Sequence, residues 1–258
     1  MIEPEHIDFV NTRFRQVEGW CLDESAYMTL HLMSVQRTLG LNSSIFEIGV
    51  YKGKYLSVLF EGSRRTQQTV LGIDTFQWSK REEVLFEFQR LFGTDARLKL
   101  VAADSTRLDA PQIIDWLDGK KASFVSVDGD HSAAVVGLDL TLCKSVLSEG
   151  GIIAIDDFLN PHAIGVSEGV YRFFLHSPAE TLRPFVYCAN KLFCAEDSYA
   201  LTYSKSIWDL IERMPDFPMI RDFKRQLDLG RAYVEQELLG SKVLILWGEE
   251  YPPRIRDF

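Results

Sequence analysis

Five short apolar segments, separated by stretches with helical periodicity, constrain the fold of this chain more than any other feature. The segments are rich in β-branched residues and are bounded by turn residues, as is typical of strands buried on both faces. Strands and helices alternate, so the sequence predicts an α/β fold with a doubly wound, mostly parallel sheet. The five predicted strands cover residues 44–50, 69–76, 97–103, 123–129 and 150–158.

The rest of the chain predicts additions at both ends of this core. Residues 1–43 predict a helical cap over one end of the sheet, and residues 44–196 form the core. The core closes with a hairpin around Ala189 and Asn190, which predicts an antiparallel edge. Residues 197–258 predict two helices and a last strand, "KVLILWG". No repeat or linker divides the chain, so we expect one domain over residues 1–258.

Composition and charge exclude several classes of partner. The formal net charge is −9, and no basic stripe interrupts the acidic balance. Nucleic acids and anionic membranes attract clustered lysine and arginine, so neither is an expected partner. No apolar run reaches the about 18 to 20 residues that a membrane-spanning helix needs. We expect a small-molecule or glycan partner, and the two terminal additions are candidate surfaces for a homo-oligomer.

The four cysteines indicate a reducing compartment. None has the C-x-x-C spacing of a metal site, and no secretory segment opens the sequence. Cys188 and Cys194 could lie near each other across the predicted hairpin, but free buried thiols are the favoured interpretation. The expected location is therefore the cytoplasm.

The first strand ends in a turn that contains glycines. In open parallel sheets, ligands bind beyond the carboxyl ends of the strands. Glu47, Gly49 and Gly53 form the pattern E-x-G-x-x-x-G, in which glycines allow close backbone approach and the following helix start offers unpaired N–H groups. The pattern differs from the dinucleotide fingerprint G-x-G-x-x-G, because Tyr51 stands at the middle glycine position.

The second and third strands also end in acidic residues. Asp74 follows the second strand, where a carboxylate can accept hydrogen bonds from ribose hydroxyls. Asp104 and Ser105 follow the third and suit the amino group and a ring nitrogen of adenine. Each acid taken singly could instead cap a helix or lie in a solvated turn. Together, the acids at the ends of three consecutive strands predict a nucleoside site.

The fourth and fifth strands add three carboxylates to the same edge, from Asp128, Asp156 and Asp157. Crowded carboxylates repel each other unless a positive group lies among them, and hard oxygen ligands suit Mg²⁺, Mn²⁺ or Ca²⁺. The alternative is that one acid caps a helix and another pairs with Arg172 or Lys191. A divalent ion is the simpler interpretation.

At these residues the chain resembles the class I S-adenosylmethionine-dependent methyltransferases, and among them the metal-assisted O-methyltransferases. It is most similar to the sugar-modifying branch that includes macrocin O-methyltransferases, and more distantly to catechol O-methyltransferase. The resemblance covers roughly residues 40–195 and is most specific in "SVDGDHSAAVVGLDLTLCKSVLSEGGIIAIDDF". It implies a Rossmann-like sheet of seven strands.

The resemblance also implies roles for individual residues. Asp128, Asp156 and Asp157 match the family's metal ligands, for Mg²⁺ or Mn²⁺. Catechol-type members carry Asn at the last of these positions, so Asp157 makes this site more anionic. For the cofactor, it implies that Glu47, Gly49 and Gly53 contact the methionine part and that Asp74 contacts the ribose. Asp104 and Ser105 would contact the adenine. Further expected cofactor contacts are Tyr51, Thr75, Phe76 and Asp128.

His131 occupies the position at which catechol-type enzymes carry a lysine base, three residues after Asp128. An imidazole can accept a proton near neutral pH, so His131 is the candidate base. Asp128, which the resemblance implies is an ion ligand, is the second candidate catalytic residue. Asp130 either orients His131 or caps the following helix. The implied reaction is methyl transfer to a hydroxyl of a sugar or glycan-containing small molecule.

Three other functions stay open at this point. A phenol or catechol could replace the sugar as acceptor. A nicotinamide-dependent dehydrogenase shares the strand, glycine turn and ribose acid, although the missing glycine and the acids after the fourth and fifth strands count against it. A non-catalytic binding protein on the same fold is the third, and the intact set of acids argues against it.

Overall fold

One mixed β-sheet organises the chain. A computed structural model describes residues 2–176, 182–229 and 235–246. Its nine strands, among these residues, are β1 (Ser44–Ile48), β2 (Val70–Asp74), β3 (Leu98–Ala102), β4 (Ala122–Val127), β5 (Leu147–Ile155), β6 (Leu182–Cys188), β7 (Lys191–Glu196), β8 (Glu235–Leu238) and β9 (Ser241–Leu246).

The sheet order is β3-β2-β1-β4-β5-β7-β6-β9-β8. The first five strands in this order run parallel, and β7 is antiparallel to both β5 and β6. Glu47 on β1 is aligned with Gly72 on β2 and Ser126 on β4. The predicted doubly wound α/β class and the hairpin around Ala189 and Asn190 are therefore confirmed.

The strand count differs from the predicted seven. β9 extends the sheet in parallel beside β6, and β8 pairs antiparallel with β9. The last strand predicted from sequence is confirmed as β9, while residues 247 and 248 of "KVLILWG" lie outside the described residues. β8 escaped prediction because its sequence, "EQEL", is polar and mostly exposed and shows no apolar alternation.

Helices cover both faces of the sheet. They are α1 (Pro4–Phe9), α2 (Asp23–Thr38), α3 (Lys54–Ser63), α4 (Arg81–Phe92), α5 (Ala110–Trp116), α6 (Ala133–Val146), α7 (Ile164–His176), α8 (Asp197–Arg213) and α9 (Pro218–Asp228), with a π-helical turn at Val10–Phe14 and a 3₁₀ turn at Ser105–Arg107. One apolar core includes buried residues of α2, α3, α4, α8 and α9, and the other includes buried residues of α5, α6 and α7. The sheet separates these two cores.

Helix α2 lies along one face of the sheet and is not confined to one end of it. Near its start, the hydroxyl of Ser25 donates to the carbonyl of Ala189 at the carboxyl end of β6 (2.6 Å). Near its end, the amide of Gln36 donates to the carbonyl of Ser123 in β4 (2.6 Å). The helical part of the N-terminal region therefore forms part of the layer that packs on the sheet.

All four cysteines are free thiols, as predicted. Cys188 belongs to the core on one face of the sheet and Cys194 to the core on the other. The sheet therefore separates the two sulfur atoms that the hairpin could have brought together. Among the described residues, no helix is both long and apolar enough to cross a membrane.

Candidate active site

The strands open at their carboxyl ends onto a cavity of about 1610 Å³. It lies where the strand order reverses between β1 and β4, the position at which open α/β sheets bind ligands. Gly53 and Phe76 are not among the described residues that line it. The other predicted site residues all line this cavity: Glu47, Gly49, Tyr51, Asp74, Thr75, Asp104, Ser105, Asp128, His131, Asp156 and Asp157.

The glycines of the first turn serve packing within the protein. Gly49 has a φ of 87°, and a Cβ atom there would lie 1.7 Å from the carbonyl oxygen of Asp128. Gly53 has a φ of 83° and precedes α3, where a Cβ atom would lie 2.7 Å from the ring of Phe88. Gly49 is therefore required for the ends of β1 and β4 to approach each other, and Gly53 for α3 to pack near α4.

Asp74 organises this turn through its carboxylate. One oxygen accepts hydrogen bonds from the backbone N–H groups of Val50 and Tyr51, both at 2.8 Å. The other accepts from the N–H of Phe76 at 2.6 Å. These bonds hold Tyr51 at a φ of 49°, a left-handed conformation that is uncommon outside glycine. The acid predicted to bind ribose thus also sets the shape of the cavity wall.

Asp104 is held by its own turn. Its Oδ1 accepts from the backbone N–H and the hydroxyl of Thr106, at 3.0 and 2.6 Å. The hydrogen bond from the Thr106 side chain is the largest of the causes that lower the pKa of Asp104. This carboxylate caps the 3₁₀ turn that begins at Ser105 and also lines the cavity.

Asp156 forms a buried ion pair with Lys191, one of the two partners that the sequence left open as alternatives. Lys191 Nζ lies 3.0 Å from Asp156 Oδ2, and the lysine side chain is only 1% exposed. Burial by itself lowers the pKa of Lys191, but Asp156, Tyr55 and Asp128 raise it above the ordinary lysine value. The lysine therefore stays cationic beside the acids.

Asp157 is oriented by two amides. Its Oδ1 accepts from the side chains of Asn160 and Asn190, both at 2.6 Å. Its Oδ2 lies 3.3 Å from His131 Nε2. Asp157 has a φ of 55°, a conformation that aspartate tolerates better than most residues. One oxygen of Asp157 is thus fixed by amides and the other faces the imidazole.

Two acids of the cavity, Asp128 and Glu47, have raised pKa values. Burial, followed by the charge of Asp156, raises the pKa of Asp128 well above the usual value. Burial also raises the pKa of Glu47, whose Oε2 is buried without a hydrogen-bond partner. Both carboxylates would be stabilised in their charged form by a nearby cation.

Three side chains of the cavity could hold such a cation. Asp128, His131 and Asp157 each offer a ligand atom, and these atoms all lie within 4.8 Å of one another. Carboxylate oxygens are the ligands that Mg²⁺ prefers, and Mg²⁺ keeps several waters when one or two carboxylates bind it. The donor set therefore fits a divalent ion. It differs from the predicted set, Asp128, Asp156 and Asp157, in that His131 takes the place of Asp156.

Sequence reasoning missed two features of the site. Asn160 was not identified as a partner of Asp157, and nothing in its sequence context indicates that role. Asp139 lies fully buried in α6 beside Ser105, and burial raises its pKa to about 6. A signal for Asp139 was present, because it interrupts the apolar stripe of Val136, Leu140 and Cys143.

A profile of a methyltransferase domain matches residues 46–158, from β1 to the residues that follow β5. This range contains the first turn and, among the described residues, all of the acids that line the cavity except Glu24. Residues 46–158 are thus similar to a methyltransferase domain. A search of curated protein sequences finds no significant match.

Solved structures share the fold of this chain at low sequence identity. The O-methyltransferase NovP is 14% identical with a TM-score of 0.57, over 67% of this chain and 80% of NovP. MycE, from the mycinamycin biosynthetic pathway and solved with Mg and SAH, is 18% identical with a TM-score of 0.52, over 75% of this chain and 55% of MycE. PaMTH1 of Podospora anserina, solved with SAH, is 18% identical with a TM-score of 0.50, over 75% of this chain and 86% of PaMTH1. These likenesses establish the class I methyltransferase fold.

Proposed function

We propose that this chain is an S-adenosylmethionine-dependent O-methyltransferase. It would transfer the methyl group to a hydroxyl of a sugar or glycan-containing small molecule with the help of Mg²⁺ or Mn²⁺. The observation that carries the proposal is the meeting of Asp128, His131 and Asp157 in the cavity that also contains the nucleoside-type acids. O-methyl transfer needs a positioned acceptor oxygen and a group that takes its proton.

The cofactor would lie along the ends of β1, β2 and β3. Asp74 and Asp104 would accept hydrogen bonds from its nucleoside part, and Ser105 lies beside Asp104 on the cavity wall. Glu47 offers a buried carboxylate oxygen without a partner, which suits the ammonium group of the methionine part. When bound, S-adenosylmethionine supplies a methyl group activated by the positive sulfonium.

Asp128 and Asp157 would hold the divalent ion. Both line the cavity, and Asp157 is kept in place by Asn160 and Asn190. A divalent ion at this position would act as a Lewis acid that lowers the pKa of a hydroxyl near it.

His131 would accept the proton of the acceptor hydroxyl. Its side chain is 47% exposed and lines the cavity, so a bound acceptor can reach it. Asp157 Oδ2 lies 3.3 Å from Nε2, so a carboxylate lies against the ring that would take the proton. Oxygen ligands suit Mg²⁺ better than imidazole does, which favours the role of base over that of ion ligand for His131.

The cavity walls favour an acceptor without negative charge. Among the described residues, eight carboxylates and two lysines line the cavity, and one of those lysines is already paired with Asp156. Trp20, which is 84% exposed, stacks on Tyr51 with ring centroids 5.4 Å apart at the rim. Flat aromatic surfaces of this kind suit the apolar face of a sugar ring.

An acceptor screen tests the proposal. The purified chain, S-adenosylmethionine and Mg²⁺ would be incubated with neutral glycosides, a glucuronide of matched structure and catechol, and products weighed by mass spectrometry. We expect a mass gain of one methyl group on neutral glycosides, and loss of the product in the Asp74→Asn variant or after EDTA. Methylation of catechol alone, or product that survives EDTA, would overturn the acceptor or the ion; failure to bind S-adenosylmethionine would overturn the whole proposal.

A further inference from the structure

Asp156 and Asp157, the two adjacent acids that follow β5, have different neighbours. Asp156 Oδ2 lies 3.0 Å from the Lys191 ammonium, whereas Asp157 accepts from neutral amides and faces His131. Two adjacent carboxylates thus have different surroundings: one faces a buried ammonium, and the other is held by neutral amides and faces an imidazole.

Lys191 is fixed in this position from several sides. It is the first residue of β7 and follows a turn in which Ala189 and Asn190 both have positive φ, 46° and 75°. Its Nζ lies 3.9 Å from the centre of the Tyr55 ring, and the Tyr55 hydroxyl is hydrogen-bonded to Thr29 at 2.7 Å. The ammonium therefore sits against an anchored aromatic face and cannot turn toward water without leaving Asp156.

An ammonium and a divalent cation compete for the same carboxylate. Lys191 already occupies Asp156, and two cations drawn to one buried carboxylate repel each other strongly in surroundings of low dielectric. Asp157 presents the opposite case, since the amides that hold its Oδ1 carry no net charge. Positive charge added to the cavity is therefore better placed at Asp157 than at Asp156. Asp128 also offers an oxygen within 4.8 Å of the ligand atom of Asp157, and Asp156 is not part of that group.

We propose that Lys191 is a positioning residue that withdraws Asp156 from the divalent ion and leaves Asp128 and Asp157 as the carboxylates that hold it. Asn190, the preceding residue of the same turn, orients Asp157. The turn between β6 and β7 thus assigns different roles to two adjacent acids. This inference rests on the proposed ion of the methyltransferase site.

A charge-neutral double variant tests this assignment. Asp156→Asn combined with Lys191→Met removes both partners, so that neither a buried charge nor an unpaired ammonium is left. Mn²⁺ titration of the full chain, followed by electron paramagnetic resonance, would measure binding of the ion itself without any acceptor. We expect the double variant to bind Mn²⁺ within about threefold of the wild type and Asp157→Asn to bind at least about tenfold more weakly, since a carboxylate ligand sets affinity through its charge.

A loss of Mn²⁺ binding in the double variant equal to that in Asp157→Asn would overturn the inference, as would a wild type that binds no Mn²⁺. A wild type that methylates a hydroxyl without binding Mn²⁺ would overturn this inference and leave the transfer reaction standing. If the double variant does not fold, wild-type crystals soaked in Mn²⁺ decide the question. The anomalous map should place the ion against Asp128 and Asp157, and an ion bonded to Asp156 would refute the assignment.

Discussion

The acids that follow β2 and β3 are held differently from those that follow β4 and β5. Asp74 and Asp104 accept hydrogen bonds from backbone N–H groups of nearby turns, including those of Val50, Tyr51 and Thr106. Asp156 and Asp157 are held in part by Lys191 and Asn190, more than thirty residues later in the chain. We call the part of the cavity around Asp74 and Asp104 the proposed cofactor side, and the part around Asp128, Asp156 and Asp157 the proposed reaction side. The first is shaped mainly by turns, and the second depends on contacts with the β6–β7 turn.

Asp104 and Asp128, one acid from each side, also differ in their need for positive charge. Hydrogen bonds from Thr106 are the leading causes that lower the pKa of Asp104, so that acid is stable as a carboxylate. Burial and the neighbouring Asp156 raise the pKa of Asp128 instead. Asp104 is therefore stabilised as a carboxylate by its own turn, whereas the carboxylate form of Asp128 would be stabilised by a nearby cation.

The largest expected effect comes from Gly49→Ala, because Gly49 is where the two sides touch. The new Cβ atom would lie 1.7 Å from the carbonyl oxygen of Asp128, at a φ of 87° that alanine rarely adopts. Neither backbone can yield without displacing both Asp74 and Asp128. We expect the free energy of unfolding to fall by more than about 4 kcal/mol, measured by denaturant titration.

Gly137→Ala is the matched control for this substitution. Gly137 lies inside α6, and a Cβ atom there would meet nothing within 4 Å. Alanine should stabilise the helix by about 0.5 to 1 kcal/mol. Equal destabilisation by both variants would show that the contact between Gly49 and Asp128 is not what makes the glycine necessary.

His131→Ala should slow methyl transfer without weakening cofactor binding. We expect kcat to fall by about 10² to 10⁴ with an acceptor from the screen, because the group that takes the proton is lost. The affinity for S-adenosylmethionine, measured by calorimetry, should stay close to the wild-type value. His162→Ala, which removes a second imidazole from the cavity wall, should leave kcat nearly unchanged. A fall in Mn²⁺ affinity in His131→Ala would instead make His131 an ion ligand.

Asp139→Asn sharpens the comparison, because Asp139 is a buried acid in α6 behind Ser105, where no turn holds its carboxylate. Burial raises its pKa to about 6 from an ordinary value near 4, so the folded state binds more protons than the unfolded state between these pH values. The free energy of unfolding of the wild type should therefore decrease as the pH rises through this window, relative to that of the variant. The gap should reach about 2 to 3 kcal/mol above pH 6, and a gap that is independent of pH would contradict the assignment.

The sequence predicted much of the structure of the proposed cofactor side. The periodicity of the chain predicted the parallel core, and the rule that ligands bind at carboxyl ends predicted that acids from separate strands would line one cavity. The role of Gly49 did not follow, because the pattern suggested close approach to a ligand and the structure shows close approach to Asp128. A pattern can indicate that a glycine is needed without indicating what lies against it.

The reaction side was only partly predictable. The sequence named Lys191 as one of two alternative partners for an acid, and it had no means to choose, since the choice depends on how the β6–β7 hairpin docks beside β5. β8 was missed because its residues are polar and exposed. Local pattern thus predicted the elements, while side-chain pairing between distant segments required the three-dimensional structure.

Calorimetric titration of S-adenosylmethionine into the wild type, Asp74→Asn and Asp157→Asn tests the central claim most directly, that one cavity combines a cofactor side with a separate reaction side. We predict one binding site in the wild type, at least about tenfold weaker binding in Asp74→Asn, and an almost unchanged affinity in Asp157→Asn. No binding to the wild type, or an equal loss in both variants, would contradict the account.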